Sequence, residues 1–327
     1  MLLRWSRWLP VDPFIAAMLA VVGLAAILPA RGGIADILDV VTALAIALLF
    51  FLHGARIAPR VALAGARHWR LHAVVLSLTF VAFPLIGLLS GALVPGVLTP
   101  ELQHGLLFLC AIPSTVQSSI AFTSLAGGNV PAALFSATFS NLAGILLTPL
   151  IAVALLSGSG GIRLTAGAIG VVVLQLLVPF VAGQLSRPWT AAWMDRHRKL
   201  TTVVDRGSIL LVVYTAFSAG MVAGIWRQVS PGRLAALLAV IAALLAVVML
   251  LALVAGRVAR FSRADRITVL FCGSKKSLAT GLPMATVLFG AANLGLLILP
   301  MMLFHQLQLI VCAEIARRLG RTHPQPA

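Results

Sequence analysis

The sequence predicts an all-α membrane protein of ten transmembrane helices, and three observations carry that expectation. Of 327 residues, 61% are hydrophobic and only 10% are charged, where a soluble domain carries roughly 25% charge. Long unbroken apolar runs recur along the chain, each close to the about 20 residues a helix needs to cross a bilayer. A transmembrane β-barrel would alternate apolar and polar residues instead. The loops between the runs also sort basic residues to alternate sides, as membrane orientation requires.

The expected spans cover approximately residues 13–28, 34–53, 72–94, 104–126, 130–156, 165–185, 207–226, 234–256, 267–289 and 291–316. Arg4 and Arg7 precede the first apolar run, which is long and followed by many others, so it reads as an uncleaved first helix rather than a signal peptide. Two longer connections, 54–71 and 186–206, are basic. Within the first, 58–69 reads as a short interfacial helix with Arg60, Arg67 and Trp69 at the headgroups. Asp36 and Asp39 sit at the outer edge of the second span, where a helix N-terminus favours acidic residues. The tail 321–327, with His323, Pro324 and Pro326, reads as disordered.

Net charge is +16, from 24 Lys and Arg against 8 Asp and Glu. The basic residues are scattered over short loops and form no basic domain, which excludes a nucleic-acid face and fits orientation in a membrane. With the N-terminus inside, 18 Lys and Arg lie in cytoplasmic segments and only 4, namely Arg31, Arg163, Arg227 and Arg233, lie outside. Losing or adding one span would invert every later loop, so this bias supports ten spans and two cytoplasmic termini. Cys110, Cys272 and Cys312 all lie in apolar stretches without close spacing, and read as small buried residues rather than a disulfide or zinc framework.

A local repetition is visible. Residues 124–132, Ser-Leu-Ala-Gly-Gly-Asn-Val-Pro-Ala, resemble 277–285, Ser-Leu-Ala-Thr-Gly-Leu-Pro-Met-Ala. Five spans per half is an odd number, so a duplicated half enters the membrane from the opposite side. The chain then divides into inverted five-helix repeats over 1–162 and 163–320, an arrangement found in many secondary transporters.

The clearest chemistry lies in Gly273-Ser274-Lys275-Lys276-Ser277, inside the ninth span. Lys275 is about nine residues past the basic edge, or roughly 13 Å deep at 1.5 Å per residue. A lone lysine there costs at least about 2.5–3.5 kcal/mol, so neither lysine belongs on a lipid face. Adjacent residues on a helix point about 100° apart, so the two reach one spot only if the helix breaks. Gly273, Gly281 and Pro283 are suitable breakers. Two roles stay open for either lysine: a structural tie to backbone carbonyls, or a group on the path of a solute or ion.

The counterpart in the first half is Pro113-Ser114-Thr115-Val116-Gln117-Ser118-Ser119. Pro113 frees carbonyls, and Gln117, Ser118 and Ser119 offer ligands to a small ion or a polar group. The ordinary alternative is that such hydroxyls bond back to their own helix. In the fifth span, near Ser136 and Ser140, Thr138 and Asn141 share a face, and Asn141 needs partners in the protein interior. Gln175, His305, Gln306 and Gln308 are further interior candidates, with His305 read as a hydrogen-bonded core residue. Glu314 reads as paired with Arg317 or Arg318. No HExxH, GxSxG, phosphate loop, flavin fingerprint or metal cluster occurs, so neither an enzyme nor a resident cofactor is expected. His305 and Glu314 are about nine residues apart on one helix, roughly 13 Å, too far for direct catalytic contact.

These residues carry a resemblance. The chain is similar over nearly its whole length to the bile acid:sodium symporter family, in particular to bacterial members of the branch named for sodium/bile acid cotransporter 7. The resemblance rests on residues 111–119, Gly127-Gly128-Asn129-Val130, His68-Trp69-Arg70-Leu71-His72, residues 212–218, residues 271–278 and Phe304-His305-Gln306-Leu307-Gln308. It implies ten helices in two inverted repeats, a panel group and a core group, and broken fourth and ninth helices crossing in the core. It also implies alternating access between panel and core, at the cytoplasmic membrane of a bacterium. In sodium-coupled relatives the crossing helices and the fifth helix hold two sodium ions. By resemblance the fourth-helix ligands fall on Ser118 and Ser119. The family's ninth-helix glutamate falls on Phe271 and its glutamine on Lys275, while the fifth-helix serine and threonine ligands fall on Ala133 and Ala137. Sodium coupling is therefore not carried over intact. A lysine ammonium in the place of a sodium ion can act as a fixed counter-charge, carry a proton, or meet an anionic substrate.

The expected function is a secondary active transporter for a small anionic organic solute, with the lipid bilayer as its surroundings. A non-transporting regulator or scaffold of the same fold is the alternative, motivated by the missing sodium ligands.

Overall fold

The computed structural model describes residues 13–56, 68–93, 96–157, 166–222, 224, 230–290 and 294–321, and every regular element among them is helical. In chain order these are α1 (Pro13–Ile27), α2 (Gly33–Arg56), α3 (Trp69–Leu93), α4 (Pro100–Ala111), α5 (Gln117–Leu125), α6 (Val130–Ser157), α7 (Ala166–Arg196) and α8 (Arg198–Val222). They continue as α9 (Pro231–Val258), α10 (Arg263–Gly273), α11 (Leu278–Phe289), α12 (Leu294–Leu297) and α13 (Leu299–Arg321). Among the described residues, six helices are long and apolar enough to cross a membrane: α2, α3, α6, α8, α9 and the α12–α13 run. Ile37, Leu44, Leu250 and Val258 stand exposed on them, where a bilayer supplies the apolar surroundings that water does not.

Local chemistry sets the helix ends. Thr99 and Ser230 each precede a proline and accept a hydrogen bond from the amide three residues on, capping α4 and α9. Ser262 caps α10 and Ser277 caps α11 in the same way. Helix α3 changes pitch: it is π-helical over Leu78–Ala82 and ends in a 3₁₀ stretch over Leu89–Leu93.

The helices pack in two groups. Helix α2 lies along α7, α1 along α8, and α8 against α2. In the other group, α3, α6 and α9 pack around α10, and α13 packs on α4, α5 and α9. Helices α7 and α8 join the two groups through α6, α11 and α12. The α2–α7 crossing depends on two glycines. A Cβ built on Gly54 would strike the Phe180 carbonyl, and one on Gly183 would strike the Phe51 carbonyl. Only residues without a side chain let two backbones come this close.

Several expectations change. The connection 186–206 is helical except at His197, because α7 runs on to Arg196 and α8 starts at Arg198. Thr190, Thr201 and Thr202 bond back to carbonyls three or four residues earlier, and Arg198 pairs with Asp195, so the polar stretch stays wound. The fourth and ninth spans are not continuous; 112–116 and 274–277 separate α4 from α5 and α10 from α11. Pro113 and Gly273 lie at these breaks, but Pro283 sits inside α11. Its missing amide removes one hydrogen bond near the helix start, and α11 continues through it. Residues 124–132 and 277–285 do not occupy equivalent places: the first crosses from the end of α5 into α6, and the second opens α11. Arg321 closes α13 rather than starting the tail. Trp69 starts α3, while 58–67 and 322–327 lie outside the described residues.

Replacing Gly54 or Gly183 by valine forces α2 and α7 apart. Thermal unfolding in detergent should show a loss of about 1–3 kcal/mol for either variant, while valine at the open Gly23 should have little effect.

Candidate functional site

Two breaks inside an apolar bundle leave backbone groups that no helix satisfies, and an unsatisfied carbonyl away from water costs several kcal/mol. The two broken segments meet, and each supplies what the other lacks. At the first break, the Ala111 carbonyl accepts from Thr148 Oγ1 at 3.0 Å, and the Pro113 carbonyl accepts from the Ser277 amide at 2.8 Å. The Ser114 amide donates to Ser140 Oγ, and the Ser114 carbonyl accepts from Asn141 Nδ2 at 2.7 Å. At the second break, Ser274 Oγ donates to the Leu270 carbonyl, Ser119 Oγ to the Phe271 carbonyl and Ser114 Oγ to the Cys272 carbonyl. Gln308 on α13 holds the segment between α10 and α11 with both ends of its amide: Oε1 accepts from the Lys276 amide and Nε2 donates to the Lys276 carbonyl, each at 2.8 Å.

Lys276 closes the first break. Its ammonium donates to the carbonyls of Thr79 at 2.7 Å, Cys110 at 2.7 Å and Ile112 at 2.8 Å. An ammonium has three protons and no more, so this group is saturated. Cys110 and Ile112 lie where α4 ends, at the negative pole of the helix dipole. The Thr79 carbonyl lacks a helical donor because of the π turn. The Phe83 amide bonds the Leu78 carbonyl instead, and Pro84, next in line, has no amide proton. The Phe83 ring lies 4.2 Å from the ammonium and adds a cation–π contact.

Lys275 has a different environment. Its side chain is fully buried, and its ammonium reaches Ser118 Oγ at 3.3 Å. The Phe122 ring centre is 4.4 Å away and that of Phe271 is 5.8 Å away. Among the described residues no carboxylate lies within ion-pair distance. Ser118 itself bonds Thr115 Oγ1. The two lysines therefore differ: Lys276 ties backbone together, and Lys275, with one hydroxyl partner among the described residues, keeps donor capacity unused.

Of the other expected site residues, Ser274, Ser277, Ser119 and Asn141 join this network. Asn141 Oδ1 accepts from Thr280 Oγ1 at 2.7 Å, and Ser277 Oγ bonds the same hydroxyl. Gln117, the first residue of α5, is exposed and does not join. Thr138 is half-buried and takes no part in the network. Gln175 lies on an exposed face of α7, and Gln306 is half-buried, outside the network. His305 bonds Gln308 Nε2 and helps fix that amide, as a core residue does. Glu314 pairs with both Arg317 and Arg318. The three cysteines are buried and unpaired by disulfide. Sequence reasoning missed Thr79 and Thr148, while Ser140 was among the fifth-span candidates and joins the network. Pro84 is the one local signal that the Thr79 carbonyl lacks its helical donor; the place of Thr148 follows only from packing.

Broken helices that meet in an apolar bundle, with a buried cation between them, define the build of a membrane transporter. The family model described as the SBF-like CPA transporter family matches residues 12–321, and the chain belongs to this family. It is 52% identical over 322 residues to the Pseudomonas aeruginosa protein named "Uncharacterized protein PA2026", covering 98% of this chain and 96% of that one. It is 48% identical to "Putative symporter YfeH" of Escherichia coli strain K12, covering 96% and 95%. Sodium/bile acid cotransporter 7 of Danio rerio is 26% identical, covering 91% and 90%. The resemblance read from the motifs therefore holds, and membership of a transporter family does not favour the scaffold alternative.

Lys276→Met strands three carbonyls and should destabilise the protein by about 3–5 kcal/mol. Lys275→Met removes a buried charge that has one weak partner, and should be neutral or stabilising by up to about 2 kcal/mol. Parallel thermal or denaturant unfolding in detergent compares the pair, and equal losses would refute the division of roles.

Proposed function

We propose that this protein is a secondary active transporter that carries a small anionic organic solute across the cytoplasmic membrane of a bacterium by alternating access. The observation that carries this reading is the Lys275 ammonium, buried at the junction of the two broken helices without a carboxylate partner among the described residues. A desolvated cation with spare donors is a receptor for an anion, and its attraction to one is strengthened by the low dielectric around it.

The same reading takes α1, α2, α3, α4 with α5, and α6 as one set of five crossings. It takes α7, α8, α9, α10 with α11, and α12 with α13 as a second, inverted set. The group formed by α1, α2, α7 and α8 then acts as the panel, and the remaining helices form the core. Matching breaks in α4–α5 and α10–α11 support this division. The termini and the arginine-rich ends are cytoplasmic on the charge bias of the loops.

Coupling to an ion other than sodium is favoured, and the proton is the candidate. Ser118 faces Lys275, and Ser119 donates to the Phe271 carbonyl, so an ammonium already occupies the neighbourhood that resemblance assigns to a sodium ion. Ala133 and Ala137 are fully buried and offer no side-chain oxygen. The fixed ammonium replaces one sodium ion and balances the charge of the solute.

The first test is thermal unfolding of the purified protein with sodium, potassium or choline at matched ionic strength, since a ligand of the folded state raises stability. No sodium-specific rise is expected. A panel of small organic carboxylates and sulfonates should contain members that stabilise the wild type but lose the effect in Lys275→Gln. A sodium-specific rise, or unchanged uptake by Lys275→Gln in proteoliposomes, would overturn the assigned role of Lys275.

A further inference from the structure

A second charged site lies away from the helix breaks, at the arginine-rich end where α2 ends and α7 meets α8. A cavity of about 320 Å³ opens there, with Arg56, Arg187 and Arg198 on its walls. It is of the size that holds small ligands. Asp195 is the one carboxylate lining it, and Asp205 lies beside it. These two are already committed: Asp205 to Arg56 and Asp195 to Arg198, the latter at 3.0 Å. His53 also approaches Asp205, at 3.8 Å. Arg187 remains. Among the described residues it makes no ion pair, and its Nε is buried without a hydrogen-bond partner. The cavity therefore holds one guanidinium in excess of its carboxylates.

The position adds a second argument. Arg187, Ala191 and Met194 line the cavity from one face of α7 at helical spacing. Between them in sequence, Trp189 and Trp193 stand 79% and 48% exposed. Tryptophans concentrate at headgroup depth. The first turn of α8 supplies Thr201 and Thr202 to the same wall, at the positive pole of that helix. A guanidinium without a partner, in a cavity at headgroup level, matches the planar fork by which arginine holds phosphate oxygens.

We propose that this cavity binds a phosphate group through Arg187, the group belonging either to an anionic phospholipid headgroup or to inorganic phosphate. Occupancy ties α2, α7 and α8 together at one end of the first helix group. The site is independent of Lys275 and of the solute.

The test uses the full chain in zwitterionic detergent, titrated with short-chain phosphatidylglycerol, short-chain phosphatidylcholine or inorganic phosphate, with thermal unfolding as the readout. Phosphatidylglycerol should raise the midpoint by about 3 °C or more at saturation, and phosphatidylcholine should not. A rise with inorganic phosphate that phosphatidylglycerol does not exceed also supports the site and identifies the source as soluble phosphate. Arg187→Gln should weaken the response at least tenfold, and Lys275→Gln should leave it intact. Ala191→Trp fills the cavity while keeping every arginine, and should abolish the response even if Arg187→Gln does not fold. Equal rises with the two lipids and none with inorganic phosphate, no rise with either phosphatidylglycerol or inorganic phosphate, or a full response in Ala191→Trp would overturn the proposal.

Discussion

The structure depends on one ammonium that is fully shared among three carbonyls. Breaking a helix in an apolar interior is costly because water is not there to take the freed groups. Lys276 offsets that cost from across the bundle. Its three protons meet carbonyls from the π turn of α3, the end of α4 and the residue before Pro113. The contact is also long-range: its partners lie 197, 166 and 164 residues away in sequence. Removing it would leave the break in α4–α5 without support and loosen the seat of α10–α11.

With Lys276 saturated, its neighbour is released from any structural task. The chain between α10 and α11 is not helical, and Gln308 pins it by both backbone groups of Lys276. That clamp sends two adjacent side chains to different places. One enters a cage of carbonyls, and the other lies against Phe122 and Ser118. A pair of charges that looks redundant along the sequence is thus divided into a fastening and a free cation. The serines follow the same logic. Ser114 and Ser119 supply hydroxyls to the end of α10, so the two breaks cap each other.

A transporter of this family needs a rigid centre and surfaces that move against one another. The hydrogen-bonded centre lies wholly within the group around α10, while the α2–α7 crossing holds the other group by backbone contact at Gly54 and Gly183. The two groups meet through helix faces rather than through the polar network. Under the proposed alternating access, that separation would let one group rock against the other without unmaking the bonds at the breaks.

The sequence by itself determined the class of protein, the family, most of the spans, and the fact that Lys275 and Lys276 had to be shielded from lipid. Composition and apolar run length suffice for this, because the bilayer acts on every residue of a span in the same way. Pro113 and Gly273 were legible as breakers, since proline and glycine act locally. Pro283 was misread because a single missing amide near a helix start does not stop the helix. The stretch 186–206 read only as a basic connection and folds as helix, because polarity marks a departure from the bilayer, not the end of a helix. What only the tertiary structure decided was which lysine is tied to carbonyls and which is not, and why Gln117 and Thr138 take no part in the hydrogen-bond network. Those outcomes depend on acceptors such as Thr79 and donors such as Thr148 and Gln308, brought in from distant helices. No local pattern encodes that convergence, because a hydrogen bond depends on distance in space and not on separation along the chain.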